Sequence, residues 1–206
     1  MSKLRAKQKA QRRKLIEIAA KNLFVEKGFE MASIEEIATL AMVSPATVYN
    51  YYGSKDELLL AIVALGEVGV AEKDSEFTLR AASENPIDLV TEVIMSNVHD
   101  TISTLSRELW CNVIAYIATT SDKTVAPRYI DTIAGGLGTA IFHVLESCQK
   151  QGKINSKVDV DYLSAFLTRN ERIQFLNFIY LKDTSITDLG NSIREDVTFI
   201  LSPLLK

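Results

Sequence analysis

The stretch SPATVYNYYGSKDELL, residues 44–59, decides how the first part of this chain folds. Ser44 can cap a short helix that begins at Pro45, because a serine hydroxyl accepts a free backbone N–H and proline suits the first helical position. Gly53 predicts the end of that helix, since glycine readily adopts the left-handed conformation that closes many helices. Ser54 can cap the helix that follows. The stretch therefore predicts a short helix, a sharp turn and the start of a longer helix.

Two further helices are predicted before this stretch. Apolar residues recur at helical spacing between about residues 7 and 27, and a glycine follows as a stop signal. Residues 33–36, Ser-Ile-Glu-Glu, match the capping box that opens a short helix, and residues 42–43 make the turn into the next one. Three helices therefore fit within residues 1–53, with a tight turn between the last two.

The remainder of the chain shows further helical patterns and no convincing strand. Only 4 prolines and 9 glycines interrupt the 206 residues, and 47% of the residues are hydrophobic, which suits long helices around a core. We therefore predict an all-α protein of about nine helices, with an N-terminal domain of residues 1–53 and a helical C-terminal domain of residues 54–206. The helices predicted in the second domain lie at about residues 54–75 or beyond, 86–104, 106–119, 127–151, 159–181 and 186–204.

The composition argues against several classes of protein. No apolar run approaches the roughly 18 residues of a membrane helix, so we expect no membrane partner. The N-terminal residues MSKLRAKQKAQRRK are charged and have no apolar segment behind them, so they do not resemble a secretory signal. Cys111 and Cys148 fall within apolar helical patterns, which indicates reduced thiols in a reducing compartment. We therefore expect a cytoplasmic protein.

The net charge of −3 conceals an uneven distribution of charge. Residues 1–55 contain ten Lys and Arg against five Glu, whereas the remaining residues contain 13 basic and 21 acidic side chains. A basic end on an acidic body indicates a polyanionic partner for that end. The cations between Lys3 and Lys14 precede the first acidic residue, Glu17, and can track phosphates or reach the minor groove. The alternative is a mobile tail that raises only the non-specific affinity.

The short helix after Ser44 is suited to reading DNA. Two short helices joined by a tight turn place the second helix in the major groove, with its N-terminal residues at the base edges. Its small residues let the backbone come close to DNA, and the hydroxyl and methyl groups of Thr47 can contact a phosphate or a base. Val48 and Tyr52 are expected to point inward, and Lys55 can meet a phosphate at the start of the next helix. The candidate DNA-contacting residues are Ser33, Ser44, Ala46, Thr47, Tyr49, Asn50, Tyr51 and Lys55.

The same residues resemble the TetR family of bacterial transcriptional regulators. The resemblance covers about residues 10–60, and the rest of the chain matches only in length and helical content. It implies a homodimer that binds double-stranded DNA at a palindromic operator, usually as a repressor, with a C-terminal domain for a small-molecule ligand and for dimerisation. The matching positions are Gly28, Ser33, Ile37, Ala38, Ala41, Val43, Ser44, Val48, Tyr49, Tyr51, Tyr52, Lys55, Glu57, Leu58 and Leu59.

Three positions differ from the family pattern. Met42 stands where the turn usually has glycine, and a non-glycine residue in a left-handed turn costs on the order of 1 kcal/mol. Ser33 replaces the usual threonine and keeps its hydroxyl, and Tyr52 replaces the usual phenylalanine and keeps its ring. These changes preserve the chemistry on which the resemblance rests.

A ligand pocket is implied in the C-terminal domain, whereas a catalytic site is not indicated. The two histidines lie on separate predicted helices and no glycine-rich phosphate loop is present, so we expect no enzyme activity, no metal and no cofactor. The pocket should lie among the helices between about residues 86 and 180. Each polar or aromatic residue there can instead be structural, and the sequence does not indicate the identity of the ligand. The candidate ligand-binding residues are Asn97, His99, Trp110, Asn112, Tyr116, Phe142, His143 and Asn170.

The last two predicted helices carry more apolar side chains than one helix pair buries. Pairing with the same helices of a second copy gives a four-helix bundle, and two-fold symmetry also suits a small DNA-reading head. The alternative is that these side chains complete the core of a single chain. The candidate interface residues are Tyr162, Phe166, Ile173, Leu176, Tyr180, Leu189, Ile193, Val197 and Ile200.

We interpret the chain as a TetR-like transcriptional regulator, a repressor released by a small molecule. The first alternative is a nucleoid-associated or cell-division accessory factor with the same DNA-binding fold and no small-molecule inducer. An internal cavity favours the regulator, and a filled core favours this alternative. The second alternative, an enzyme built on a helical bundle, lacks an acid–base or metal constellation.

Overall fold

The structure, a computed structural model of the chain, describes the backbone of residues 3–66, 68–181 and 183–206. Side chains are described in the same ranges except at residues 3, 4, 64–66, 68–72, 128 and 130–135. Within these ranges the chain forms ten α-helices and one short 3-10 turn, and it forms no strand. The predicted all-α class is therefore confirmed for the described residues, which contain one helix more than the nine predicted.

Short connections join the helices. Ile154 and Leu205 form an isolated antiparallel bridge, which brings the C-terminus beside the loop that follows α8. None of the described helices is both long and apolar enough to cross a membrane. The helices are α1 (Lys3–Lys27), α2 (Ile34–Leu40), α3 (Pro45–Tyr52), α4 (Lys55–Gly66), α5 (Val68–Arg80), α6 (Pro86–Thr104), α7 (Arg107–Thr119), α8 (Val125–Lys150), α9 (Val160–Tyr180) and α10 (Ile186–Leu201), and the 3-10 turn is Ser202–Leu204.

Three helices differ from their predicted bounds. The described part of α1 begins at Lys3 rather than near residue 7, because its first turns consist of good helix formers without an apolar face to mark them. α8 begins at Val125, ahead of Pro127, since the first turn of a helix leaves N–H groups unbonded and tolerates a residue that has none. The long helix predicted from residue 54 corresponds to α4 and α5, and Glu67 between them lies outside the described residues.

The first compact unit comprises Met1–Leu65 and Thr104–Ala126. Its core is formed by the apolar faces of α1 to α4 together with α7. The Phe24 and Phe29 rings pack at the end of α1 with their centroids 5.1 Å apart. Other fully buried side chains of this core are Ile16, Ile37, Val48, Leu58, Leu59, Ile62, Leu109 and Trp110.

The second compact unit comprises Gly66–Ser103 and Pro127–Lys206. Its core joins α5, α6, α8, α9 and α10, with Val93, Ile141 and Ile193 among its buried side chains. The two compact units do not coincide with the predicted domains, because α7 belongs to the same unit as the N-terminal helices. The predicted functional boundary between residues 53 and 54 stays a prediction.

Neither Cys111 nor Cys148 forms a disulfide in the structure. Cys148 is buried in the second unit and Cys111 is half-buried in the first. Burial raises the pKa of the Cys148 thiol, so this side chain remains a neutral, apolar member of the core at neutral pH.

Candidate nucleic-acid interface

α2 begins with a capping box, as the sequence predicts. The Ser33 hydroxyl accepts a hydrogen bond of 3.2 Å from the backbone N–H of Glu36, and the Ser33 N–H donates to the Glu36 carboxylate at 3.1 Å. Lys27, the last residue of α1, donates to the same carboxylate, and this hydrogen bond is the largest cause of the lowered pKa of Glu36. These contacts fix the start of α2 relative to the end of α1.

The turn between α2 and α3 contains a left-handed residue that is not glycine. Met42 has a φ of 54°, its N–H donates to the Thr39 carbonyl at 3.2 Å, and the Val43 N–H donates to the Ala38 carbonyl at 2.9 Å. This pair of hydrogen bonds is the Schellman motif that closes many helices. The Met42 side chain is 85% exposed, so the residue adds backbone strain without burying apolar surface.

Two inward-pointing side chains hold α3 against the rest of the first unit, as predicted. Val48 is buried, and the Tyr52 hydroxyl donates to the Glu17 carboxylate at 2.9 Å, with the Arg13 carbonyl 3.3 Å away. Burial raises the pKa of Tyr52 to about 12, and the hydrogen bond to Glu17 acts in the same direction. Tyr52 therefore remains a neutral donor that ties the end of α3 to α1.

The other face of α3 is polar and exposed. The Ser44 hydroxyl caps the helix by accepting a bond of 3.2 Å from the Thr47 N–H, and it lies 2.9 Å from the Thr47 hydroxyl. Gly53 closes the helix with a φ of 78°. Within the part of the chain that the structure describes, no hydrogen bond engages the side chain of Tyr49 or Asn50. The exposed residues of this face are Ser44, Pro45, Ala46, Tyr49 and Asn50, and the half-buried ones are Thr47 and Tyr51.

The Lys55 ammonium is directed at the protein backbone. It donates to the carbonyls of Phe29, Glu30 and Ala32 at 2.8, 3.3 and 3.3 Å, and it lies 4.5 Å from the centroid of the Phe29 ring. Three carbonyls match the three N–H donors of an ammonium group. Lys55 therefore holds the connection between α1 and α2, and the phosphate contact that the sequence predicts for it stays a prediction.

Two cationic side chains of α1 lie against the aromatic end of α3. The Lys9 ammonium is 5.9 Å from the centroid of the Tyr51 ring, and the Arg13 guanidinium is 5.6 Å from that of Tyr52. Arg13 is also 4.0 Å from the Glu17 carboxylate. Sequence spacing does not reveal these contacts, because they depend on how α1 packs against α3.

Two capped helices, a tight turn and an exposed polar face on the second helix together form a helix-turn-helix. The family model for bacterial regulatory proteins of the tetR family matches residues 18–62, which run from α1 into α4. The chain carries the DNA-binding region of the TetR family at these residues. It is a TetR-like DNA-binding transcriptional regulator, as the resemblance predicts.

Individual relatives are also transcriptional regulators. The HTH-type transcriptional regulator PksA of Bacillus subtilis is 26% identical over 158 residues, which cover 76% of this chain and 75% of PksA. The HTH-type transcriptional activator FasR of Mycolicibacterium smegmatis is 42% identical over 53 residues, which cover 26% of this chain and 24% of FasR. The crystal structure of Thermus thermophilus FadR, a TetR family transcriptional repressor in complex with lauroyl-CoA, has a TM-score of 0.73 and 22% identity, and covers 94% of this chain and 95% of FadR. At this identity the structural likeness shows the shared fold.

Three candidate ligand-binding residues lie in α7, within the first unit. Trp110 is buried, and the Asn112 amide donates to the Glu108 carbonyl of its own helix at 3.3 Å. The Tyr116 hydroxyl donates to the Glu57 carboxylate in α4 at 3.1 Å, and burial is the largest cause of the raised pKa of Tyr116. These three residues therefore have structural surroundings within the first unit, and their predicted role in ligand binding stays a prediction.

The other five candidates lie in the second unit. His99 is exposed, with its Nδ1 2.7 Å from the Met95 carbonyl of its own helix, and Asn170 donates to the Asp196 carboxylate at 2.7 Å. The Asn97 residue is only 6% exposed, and no hydrogen bond engages its side chain within the described ranges. Buried amides almost always have a hydrogen-bond partner, so Asn97 is the candidate whose hydrogen-bonding capacity is unmet among the described residues.

His143, whose ring packs against that of Phe142, lines an open pocket of about 500 Å³ between α5 and α8. Its Nδ1 lies 2.6 Å from the Asp74 carboxylate. The lining also includes the Glu146 carboxylate and the Lys150 ammonium, which form an ion pair of 2.8 Å. This pocket opens to solvent, unlike the enclosed pockets that bury most of the surface of a small-molecule ligand.

The candidate interface residues fall into two groups. Leu189, Ile193 and Val197 of α10 are buried within the chain, so they pack in its own core rather than on its surface. The apolar residues of α9 and the end of α10 are more accessible, and Phe199, which the sequence pattern does not single out, is 84% exposed. The exposed candidates are Tyr162, Phe166, Ile173 and Tyr180, and the half-buried ones are Leu176 and Ile200.

Proposed function

We propose that the chain is a repressor that binds a palindromic operator as a homodimer and leaves it when a small molecule binds. The observation that carries this proposal is the exposed polar face of α3, a helix held in place from behind by Val48 and Tyr52. Such a helix fits the major groove, and two-fold related copies read half-sites about one helical turn, or a multiple of it, apart. A regulator of this kind acts in the cytoplasm and needs neither catalysis nor a cofactor.

The N-terminal half of α3 makes the closest approach to the bases. Small exposed residues at this end let the backbone come near the groove. Thr47 then contacts a base or a thymine methyl group, and Tyr49 and Asn50 reach phosphates and base edges with polar groups that face solvent. Ser33, at the start of α2, and Tyr51 add contacts to backbone phosphates. Sequence preference therefore resides mainly in Thr47 and Asn50.

The homodimer is supported by an apolar stripe on α9. Tyr162, Phe166, Ile173 and Tyr180 follow one another at intervals of four, seven and seven residues, so they share one face of the helix. All four are exposed in the single chain. Two copies of α9 and α10 that pack as a four-helix bundle bury this stripe. The remaining members of the proposed interface are Leu176, Phe199 and Ile200.

A small molecule in the C-terminal domain supplies the signal for release. The FadR structure contains lauroyl-CoA, so lauroyl-CoA is the first ligand to test. The buried amide of Asn97, which has no hydrogen-bond partner among the described residues, would gain most from a polar group of that ligand. The other proposed ligand-binding residues are His99, Trp110, Asn112, Tyr116, Phe142, His143 and Asn170.

Release follows from a population shift. The ligand favours a state in which the two reading heads no longer match the spacing of the half-sites. Within the first unit, the hydrogen bond from Tyr116 to Glu57 links α7 to the beginning of α4, the helix that directly follows α3. A displacement of α7 on ligand binding is thereby transmitted to the helix-turn-helix.

Selection of duplexes from a random-sequence pool by the purified protein tests the DNA-binding part of the proposal. We expect a palindromic consensus, and we expect Thr47→Ala to change the preferred bases more than the overall affinity. If no sequence is enriched over the starting pool, the protein does not read an operator.

Two further measurements test the repressor and its release. A reporter gene carrying the selected duplex in its promoter should be expressed less when the protein is present, and an increase would identify an activator instead. Lauroyl-CoA added to the complex of protein and duplex should lower the affinity. A complex that lauroyl-CoA leaves intact would contradict the acyl-CoA as ligand, without affecting the assignment of operator binding.

A further inference from the structure

The first part of α1 is an exposed helix that concentrates positive charge. Residues 5–15 are all exposed, and the first acidic residue of the chain is Glu17. The first turn of α1 contains no acidic residue. Cations near a helix N-terminus oppose the helix dipole, and like charges four residues apart repel one another. An anionic partner would relieve both effects.

The cations of this helix divide between two faces. Arg5, Lys9, Arg12 and Arg13 stand at positions i, i+4, i+7 and i+8, so they share one face, called here the basic stripe. At 3.6 residues per turn, Lys7 and Lys14 lie roughly 140–160° around the helix from Lys9. The helix therefore presents one organised row of cations and a smaller set that faces away from it.

The basic stripe lies on the side of α1 that faces the end of α3. The Lys9 ammonium is 5.9 Å from the Tyr51 ring and the Arg13 guanidinium 5.6 Å from the Tyr52 ring. Arg5 lies one further turn along α1, about 6 Å from Lys9 along the helix axis. The stripe therefore continues the exposed surface of α3 beyond its C-terminal end, with no carboxylate on the helix before Glu17.

We propose that Arg5, Lys9 and Arg12 bind phosphates of the DNA backbone that flanks the groove occupied by α3. The proposal rests on the operator binding proposed above and adds a second, sequence-independent contact surface to it. A row of cations on a helix suits successive phosphates, whereas a minor-groove arm is an extended segment. Arg13 is left out of the set because its guanidinium lies close to Glu17 and Tyr52.

DNA fits this surface better than a lipid surface does. A helix that lies on a membrane needs an apolar face opposite its cations. Ala6, Ala10 and Leu15 are the apolar residues between positions 5 and 15, and they are too few and too small for such a face. The geometry of the basic stripe therefore favours the phosphates of nucleic acid.

The test compares two double variants that each lose two positive charges. Arg5→Gln/Lys9→Gln removes part of the basic stripe, and Lys7→Gln/Lys14→Gln removes exposed cations that face away from it. Circular dichroism should show equal helix content, because all four side chains are exposed. Affinity is measured by fluorescence anisotropy over a range of KCl concentrations, on the duplex selected by the wild type and on a mixed-sequence duplex of the same length.

We expect the stripe variant to bind both duplexes more weakly by a similar factor, on the order of tenfold at low salt. The slope of the logarithm of its binding constant against the logarithm of the salt concentration should fall in magnitude by about 0.9 for each phosphate that is no longer neutralised. The control variant should keep the wild-type slope.

Equal slopes for the two variants would overturn the proposal while leaving operator binding intact. A wild type that selects no duplex would instead refute operator binding itself. Wild-type binding to vesicles of anionic phospholipid that only the stripe variant loses, with unchanged DNA binding, would assign the stripe to a membrane surface and also overturn the proposal.

Discussion

The hydroxyl of Tyr116 in α7 donates a hydrogen bond of 3.1 Å to the carboxylate of Glu57 in α4. The two residues are 59 positions apart in the chain, and their contact lies within the first compact unit. Burial raises the pKa of Tyr116, so the phenol remains a neutral donor at physiological pH. α7 is thereby held to the helix that begins just after the DNA-reading helix.

We expect Tyr116→Phe to lower the free energy of unfolding by about 1 kcal/mol, because it removes one partly buried hydrogen bond. In a protein of this size the change corresponds to a fall in Tm of about 2–4 °C. A double-mutant cycle with Glu57→Ala, measured by chemical denaturation, isolates the pair. Strictly additive effects of the two substitutions would show that the residues are not coupled.

Lys55→Ala should destabilise the protein, and the salt dependence of DNA binding shows whether Lys55 also contacts a phosphate. The substitution leaves the carbonyls of Phe29, Glu30 and Ala32 without their cation, so we expect a loss of about 2 kcal/mol in the free energy of unfolding. Lys14→Ala, which removes an exposed lysine, is the matched control for charge. A salt slope that falls by about 0.9 with unchanged stability would establish a phosphate contact for Lys55 instead.

The raised pKa of Tyr52 predicts that the free energy of unfolding falls at alkaline pH. Its pKa is raised from 10.0 to about 12 in the folded protein, so its contribution is fully present below pH 10 and is lost as the pH rises towards about 12. Tyr52→Phe should therefore be less stable than the wild type at neutral pH, where it lacks the bond to Glu17, and should lose stability less steeply above pH 10. Denaturation midpoints across this range measure the difference, with the exposed Tyr49→Phe as control. Parallel curves for Tyr52→Phe and the wild type would contradict the assignment.

Two substitutions on neighbouring helices separate dimerisation from folding. Ile173 is 59% exposed on α9, so Ile173→Asp should give a folded monomer with weakened operator binding. Ile193 is buried within its own chain, so Ile193→Asp should unfold the protein by placing an unpaired charge in its core, at a cost of several kcal/mol. Leu79→Asp, at an exposed leucine on α5, is the control for a charge introduced outside the interface. Light scattering and circular dichroism report the two outcomes, and a dimeric Ile173→Asp would rule out this face of α9.

Met42→Gly should stabilise the protein by up to about 1 kcal/mol. The left-handed φ of 54° strains a methionine but not a glycine, and the exposed Met42 side chain contributes little burial to lose. Met31→Gly removes a similarly exposed methionine whose φ is not positive, and it should leave stability unchanged or lower it. Thermal melts of the two variants compare the effects, and equal shifts would contradict strain at Met42.

Local features of the helix-turn-helix follow from the sequence alone. The caps at Ser33 and Ser44, the turn at residues 42–43 and the burial of Val48 are all predicted correctly. Each of them depends on hydrogen bonds or periodicity within four or five residues, so the neighbouring sequence contains the whole interaction.

Only the tertiary structure decides which residues far apart in the chain contact one another. Tyr52 donates a hydrogen bond to Glu17, 35 residues away, and Lys55 donates to the Phe29 carbonyl, 26 residues away. The sequence does not distinguish this carbonyl from a phosphate, because a lysine at the start of a helix suits either partner. Apolar spacing likewise marked both helices of the proposed interface but did not separate the buried Ile193 from the exposed Phe199. Periodicity identifies the apolar side of a helix, whereas the elements that cover it depend on the angles and positions at which the other helices pack.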